Sequence, residues 1–157
     1  SGPTGGALGG PSAGGNDAWV ARYDSAGNQT WIRQLGSSSD DRASATAPDG
    51  TGGVYLCGPT LGSLGAPSAG ENDAWLARYD SAGNQTWTRQ FGSSSYEAAY
   101  AASPDGTGGA YVSGETTADR PNSGARSGRR QGSGSGRNKA CTGNQCGAEQ
   151  ACRHRTG

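Results

Sequence analysis

Cys141, Cys146, Cys152 and His154 lie close together near the C-terminal end of the sequence. They are the ligand types of a Cys₃His zinc site. Their spacing, C-x₄-C-x₅-C-x-H, lacks the close C-x-x-C pair on which such sites are usually built, so no metal ligand is assigned. With Cys57 they make four cysteines. An oxidising compartment would allow disulfides among them in a connectivity that spacing does not fix, and unpaired thiols are the alternative. His154 is the only histidine. No Ser-His-Asp set can be assembled around it within the part of the chain that reads as folded, and no motif places a pair of carboxylates for acid–base work. The sequence therefore names no catalytic residue and no cofactor-binding residue, and the chain is read as a non-enzyme.

Other chemistry-bearing groups have plainer readings. Asp40, Asp41 and Asp49 suggest a calcium loop, but the alternating ligands ending in Glu are missing, and turn and solvent roles suffice. Asn28-Gln29-Thr30 and Asn84-Gln85-Thr86 have the form of N-glycosylation sequons and also read as ordinary turn residues. Asp49-Gly50-Thr51-Gly52-Gly53 and the Gly-Ser run at 132–136 look superficially like phosphate cradles, yet neither opens a helix or precedes a Lys-Ser or Lys-Thr pair. Arg126, Arg129, Arg130, Arg137 and Lys139 are spaced by Gly and Ser, with no aromatic residue between them to stack on bases. Such a stretch would bind polyanions weakly, through charge alone.

The elements that would position these groups are set by a duplication. Residues 16–31 read NDAWVARYDSAGNQTW, and 72–87 read NDAWLARYDSAGNQTW, an offset of 56 residues. The correspondence extends to Gln34 and Gln90, Asp49 and Asp105, and Tyr55 and Tyr111. A self-match at this period marks a repeat architecture, one supersecondary unit copied and stacked. Trp19, Trp31, Trp75 and Trp87 sit at repeated positions, which favours packing over ligand stacking. Asp40 and Asp41 correspond to Tyr96 and Glu97, so a calcium set is not repeated.

Each unit divides into four short strand candidates. In the first they are Ala18–Tyr23, Thr30–Leu35, Ala43–Ala47 and Val54–Cys57, separated by Asp-, Gly- and Ser-rich turns. A long loop is expected from Gly58 to Asp73, before the second copy opens at Ala74–Tyr79. No amphipathic helix pattern appears in residues 1–117. Short, evenly spaced strands indicate an all-β fold, and four strands per unit of this length is the pattern of an antiparallel β-propeller blade. The small residues of the third strand suit an innermost position. One full blade is then expected at about 41–91, with half a blade on either side.

Composition changes near Thr117. Residues 1–117 hold five Arg against eleven acidic residues, and residues 118–157 hold eight basic against two. The latter segment has too few apolar residues to offset ordering, and reads as a disordered tail. The whole chain has thirty glycines and 31% hydrophobic residues, so order must depend on its few aromatic and aliphatic side chains. No apolar run is long enough to cross a membrane and no signal peptide is visible.

The repeat resembles the bacterial SBBP repeat, a seven-bladed β-propeller repeat family. The resemblance rests on Gly15-Asn16-Asp17-Ala18-Trp19-Val20-Ala21-Arg22-Tyr23-Asp24, Gly27-Asn28-Gln29-Thr30-Trp31, Arg33-Gln34-Leu35-Gly36, Gly52-Gly53-Val54-Tyr55 and Gly58-Pro59-Thr60. It implies a secreted or cell-surface bacterial protein with a propeller and no assigned catalytic residues. A propeller closes with four or more blades, and four at this period need about 224 residues. The expectation is therefore a non-catalytic fragment of an extracellular propeller, a structural or binding scaffold, whose exposed blade faces favour self-association. The alternatives are part of a larger propeller enzyme with its site in other blades, or polyanion binding by the basic tail.

Overall fold

The computed structural model describes residues 1–117. The expectations for Cys141, Cys146, Cys152, His154, the basic stretch and the disordered tail fall outside the described residues. Within them the chain is all-β and antiparallel, with nine strands and no helix. The strands are β1 (Gly2–Thr4), β2 (Asp17–Tyr23), β3 (Gln29–Leu35), β4 (Ala45–Pro48), β5 (Val54–Thr60), β6 (Asp73–Tyr79), β7 (Gln85–Phe91), β8 (Glu97–Pro104) and β9 (Ala110–Thr116).

They form three sheets of sequential neighbours: β1-β2-β3, β4-β5-β6-β7 and β8-β9. Short turns explain this order. In the β2–β3 hairpin, Asp24 Oδ1 accepts the backbone N–H groups of Ala26 and Asn28, and Gly27 takes φ 83°. Asp80 and Gly83 repeat the device between β6 and β7. Between β4 and β5, Asp49 Oδ1 accepts the N–H groups of Thr51 and Gly53, with Gly50 and Gly52 at positive φ. A short acceptor side chain and a glycine in the left-handed region are what such turns require.

The sheets stack face to face. Ala18 and Val20 of the first pack with Leu56, Trp75, Ala77 and Tyr79 of the second. On the second sheet's opposite face, Tyr55, Cys57, Ala74 and Leu76 pack with Ala99 of the third. Alternate residues of β5 and β6 thus serve opposite faces, as the two-residue period of a strand dictates. This is why β6 is buried at nearly every position, whereas a sheet with one wet face would alternate.

The four-stranded sheet falls within the expected 41–91 span. Two differences concern its flanks. The expected loop from Gly58 is strand as far as Thr60, with Gly58, Pro59 and Thr60 opposite Trp75, Ala74 and Asp73. Proline is accommodated there because the ladder to β4 ends at Cys57: toward the irregular 41–44 segment Pro59 needs only its carbonyl, which accepts from Arg42 N. In the first sheet the equivalent residues, Gly2-Pro3-Thr4, form β1 against Asp17–Trp19, one short strand more than half a unit. The third strand is also shifted, to Ala45–Pro48 from the expected Ala43–Ala47.

Candidate functional site

The acidic residues singled out in the sequence are not gathered into one site. Asp40 Oδ1 accepts from the backbone and side-chain nitrogens of Asn16. Asp41, fully buried, accepts from Ser37 N and Oγ at 2.6 and 2.8 Å and from the Thr60 hydroxyl. Asp49 is held by its own turn and by Arg78, whose Nη2 lies 2.7 Å from Oδ2. Burial pushes the Asp49 carboxyl up. The Thr51 N–H, the Arg78 guanidinium and the remaining turn donors outweigh that, and hold it well below the usual carboxylate range. Each carboxylate is an acceptor that fixes a loop. Asp41 and Asp49 are buried, not solvated, because the backbone donors of the turns close around them. Among the described residues, no three His, Cys, Asp or Glu side chains converge to hold a metal ion.

A second carboxylate pattern escaped the sequence reading. Asp17 Oδ2 accepts from Gln34 Nε2 and Ala13 N, and Asp73 Oδ2 accepts from Gln90 Nε2 and Ala69 N. Through the aspartate that opens β2 or β6, each clasp ties the segment before that strand to the strand that follows it. The other oxygen of both aspartates is buried without a hydrogen-bond partner. It lies where a Cβ on Gly36 or Gly92 would sit, so those positions accept only glycine. The repeated Gln34 and Gln90 were the one signal in the sequence that could have exposed this clasp.

The tryptophans pack. Trp75 is fully buried and donates its indole N–H to the Pro59 carbonyl at 3.1 Å. Trp87 meets Tyr55 with ring centroids 6.0 Å apart. Trp31 lies over the turn of the next sheet and donates to the Ser81 carbonyl. Arg33 donates from Nε to Gly83 O at 2.8 Å, and Arg22 to Ser81 O at 2.9 Å. This clamp joins the first sheet to the second. Cys57 is a buried thiol between the second and third sheets, pushed up in pKa by burial. Asn28 and Asn84 are exposed, and each bonds back to the aspartate of its own turn.

Equivalent residues do not share an environment. Tyr79 is 2% exposed and Tyr23 58%, while Tyr55 is 0% exposed and Tyr111 70%. Burial raises the Tyr79 phenol to about 12. Tyr55 donates to the Gly108 carbonyl at 2.7 Å, and the Arg78 guanidinium stands 5.9 Å from its ring centre. Among the described residues, the first and third sheets therefore each present one face that no further sheet covers.

A cleft of about 480 Å³ opens between the first and second sheets, with Ser1 on its wall. Val20, Tyr23 and Trp31 line one side, and Ala47, Pro48 and Gly52 line another. β1 covers the edge of β2 only from Asp17 to Trp19. In the second sheet the corresponding edge of β6 is paired along its whole length, with Val54–Cys57 opposite Tyr79–Leu76. The cleft thus lies along four backbone positions of β2, Val20–Tyr23, that no described strand pairs on this side.

No protein-family model matches the chain. It is similar to the regulatory protein FlaEY of Caulobacter vibrioides, 29% identical over 122 residues. That alignment takes in 72% of this chain, which spans only 13% of that protein. Among the described residues, no helix is long and apolar enough to cross a membrane.

Proposed function

We propose that residues 1–117 are consecutive β-propeller blades of the SBBP type, and that they serve as a non-catalytic structural or binding scaffold outside the cell or at a bacterial cell surface. The observation that carries this reading is the middle sheet. It has four strands in sequence order, is covered on both faces, and meets its two neighbours through equivalent positions of the repeat. Ala43, Val54 and Leu56 face the first sheet, as Ala99, Ala110 and Val112 face the second. A stack in which every joint uses the same residues is extended by adding units. The bare outer faces call for further blades, in line with a chain that covers a small part of its longer relative. That relative's description as a regulatory protein fits a binding role for such a scaffold better than a catalytic one.

Designed arrays of two to eight copies of the 56-residue unit test the reading. A propeller gives an abrupt rise in melting temperature and a compact particle at one copy number between about four and eight, where the ring shuts. An open solenoid gives a smooth rise with every unit added, and that result refutes the propeller. Export is tested separately, by fractionating cells that express the complete parent protein. Recovery only in the cytoplasm rejects the extracellular placement.

A further inference from the structure

We propose that Tyr96, Tyr100 and Glu115 form a binding site for an organic cation, an alkylammonium group. Such a site gives the binding role proposed above a ligand class. It rests on that role and on the register of the repeats, not on closure of a ring.

The third sheet departs from the second at an edge where the two units are otherwise alike. Asp41–Pro48 reads DRASATAP and Glu97–Pro104 reads EAAYAASP. Tyr96 stands where the preceding unit has Asp40, Tyr100 where it has Ser44, and Glu115 where it has Pro59. The backbone brings the three together. Pairing of β8 with β9 slips between Ala99 and Ala101, which makes Tyr100 the extra residue of a β-bulge. Gly114, opposite Ala99, leaves no room for a Cβ beside the Ala98 carbonyl. Gly58 leaves none beside the Arg42 carbonyl, so both units are shaped for the same irregularity. A bulge at a sheet edge re-aims one side chain. Here the Tyr100 hydroxyl donates to Glu115 Oε1, and the Tyr96 side chain hydrogen-bonds the same phenol.

The corner is open, and the second sheet shows that openness belongs to the position. That sheet has a neighbour on each face, yet its Ser44 is exposed and its Asp40 and Pro59 are half-exposed. In the third sheet Tyr100 is 49% exposed, Tyr96 is half-exposed and Glu115 is exposed. An aromatic ring at such a place adds little to a core and offers its face to a ligand.

Charge selects that ligand. The hydrogen bond to Glu115, and after it the one to Tyr96, holds the Tyr100 phenol above its ordinary pKa, so it stays neutral. The charge of the site is therefore the negative one of Glu115. Arg42, exposed before β4, is replaced at this edge by the buried Ala98. Residues 1–117 hold eleven acidic residues, five arginines and no lysine, a balance whose field draws cations. Phenol faces attract an ammonium group, and a carboxylate beside them fixes it by a charge-assisted contact.

Choline and its neutral isostere 3,3-dimethylbutan-1-ol, titrated into the full chain and followed by proton NMR, test the site. The wild type is expected to bind choline saturably, with upfield shifts of the choline methyl protons from the tyrosine rings, and to bind the isostere about tenfold more weakly or worse. Glu115→Gln is expected to weaken choline by about tenfold, and Tyr100→Ala to abolish binding. Tyr100→Phe keeps the ring and is expected to keep the binding. Tyr100 and Glu115 are exposed, so melting temperatures should not move, which separates lost binding from lost fold. Asp40→Tyr, Ser44→Tyr and Pro59→Glu combined should give each chain a second choline site. The tripeptide Gly-Lys-Gly identifies the source of the cation. Tighter binding than choline assigns it to a lysine side chain of a polypeptide, and weaker binding to a free quaternary amine. No saturable choline binding at about 50 mM, or equal binding of the isostere, overturns the proposal. Either result with an intact cooperative melt rejects the cation site alone, because the array measurement decides the propeller reading independently.

Discussion

The middle sheet and the two outer sheets are built from nearly the same sequence and occupy opposite physical situations. β6 and β2 differ only at Leu76 and Val20. Yet β6 is buried almost throughout, and β2 is exposed at Arg22 and Tyr23. The Asp80–Asn84 turn carries the Trp31 ring, whereas nothing lies within 4 Å of where a Cβ would be at Gly27 in the equivalent turn. The alternation of side chains specifies two contact faces per sheet, and the number of neighbours decides whether both are used. In this molecule a repeat position acquires its energetic weight from the adjoining unit.

Truncation at equivalent positions breaks or sharpens that contrast. Trp75→Ala removes a fully buried ring and its bond to Pro59, and should cost about 3–5 kcal/mol in denaturant unfolding. Trp19→Ala, half-buried on a face without a neighbouring sheet, should cost clearly less. Equal costs would mean that the outer sheet is covered as well.

The tyrosines give the next largest difference. Tyr79→Ala should destabilise by about 3 kcal/mol or more, and Tyr23→Ala should stay within about 0.5 kcal/mol. The melting curves of the two variants check this, and matching shifts would contradict it.

The third contrast concerns a turn. Asp49→Ala leaves the Thr51 and Gly53 N–H groups without their side-chain acceptor and should cost about 1–3 kcal/mol. Asp105→Ala, in an exposed turn with no guanidinium partner among the described residues, should cost less. The Asp49 carboxyl is held below its ordinary value in the fold. Its stabilisation is therefore fully present above the unfolded value of about 4 and is lost as pH falls further. Asp49→Asn should flatten the pH dependence of stability below about pH 4, as acid titration followed by circular dichroism would show. A slope as steep as the wild type's would place the acid-sensitive groups elsewhere.

The smallest contrast is between two glycines. Gly27 and Gly83 both have φ near 80°, so alanine is strained at each by about 1 kcal/mol. Only at Gly83 does the new methyl also meet the Trp31 ring, and Gly83→Ala should be the more damaging by melting temperature. The reverse order would mean that the clamp between the first two sheets is loose.

Much of this fold was legible because its punctuation is local. Asp24 with Gly27, and Asp49 with Gly50 and Gly52, announce turns. Trp, Tyr and branched residues between them announce strands. The end of β5 was hidden because Gly58 and Pro59 ordinarily interrupt a ladder. They are tolerated here by the shortness of β4, which is a property of the sheet and not of the segment. β1 was hidden for the same reason, being the same three residues in the preceding unit. The Asp17–Gln34 and Asp73–Gln90 clasps join residues seventeen positions apart, and no local spacing rule finds such pairs. The cleft beside β2 was invisible because two sheets form it together, and no single segment carries its outline.

Hydrogen–deuterium exchange on the dilute, monomeric chain tests the central claim most directly, by comparing β6 with β2, near-identical strands in different surroundings. If position in the stack governs order, amides of Ala77–Tyr79 exchange far more slowly than those of Ala21–Tyr23. Equal protection of the two strands would contradict the account.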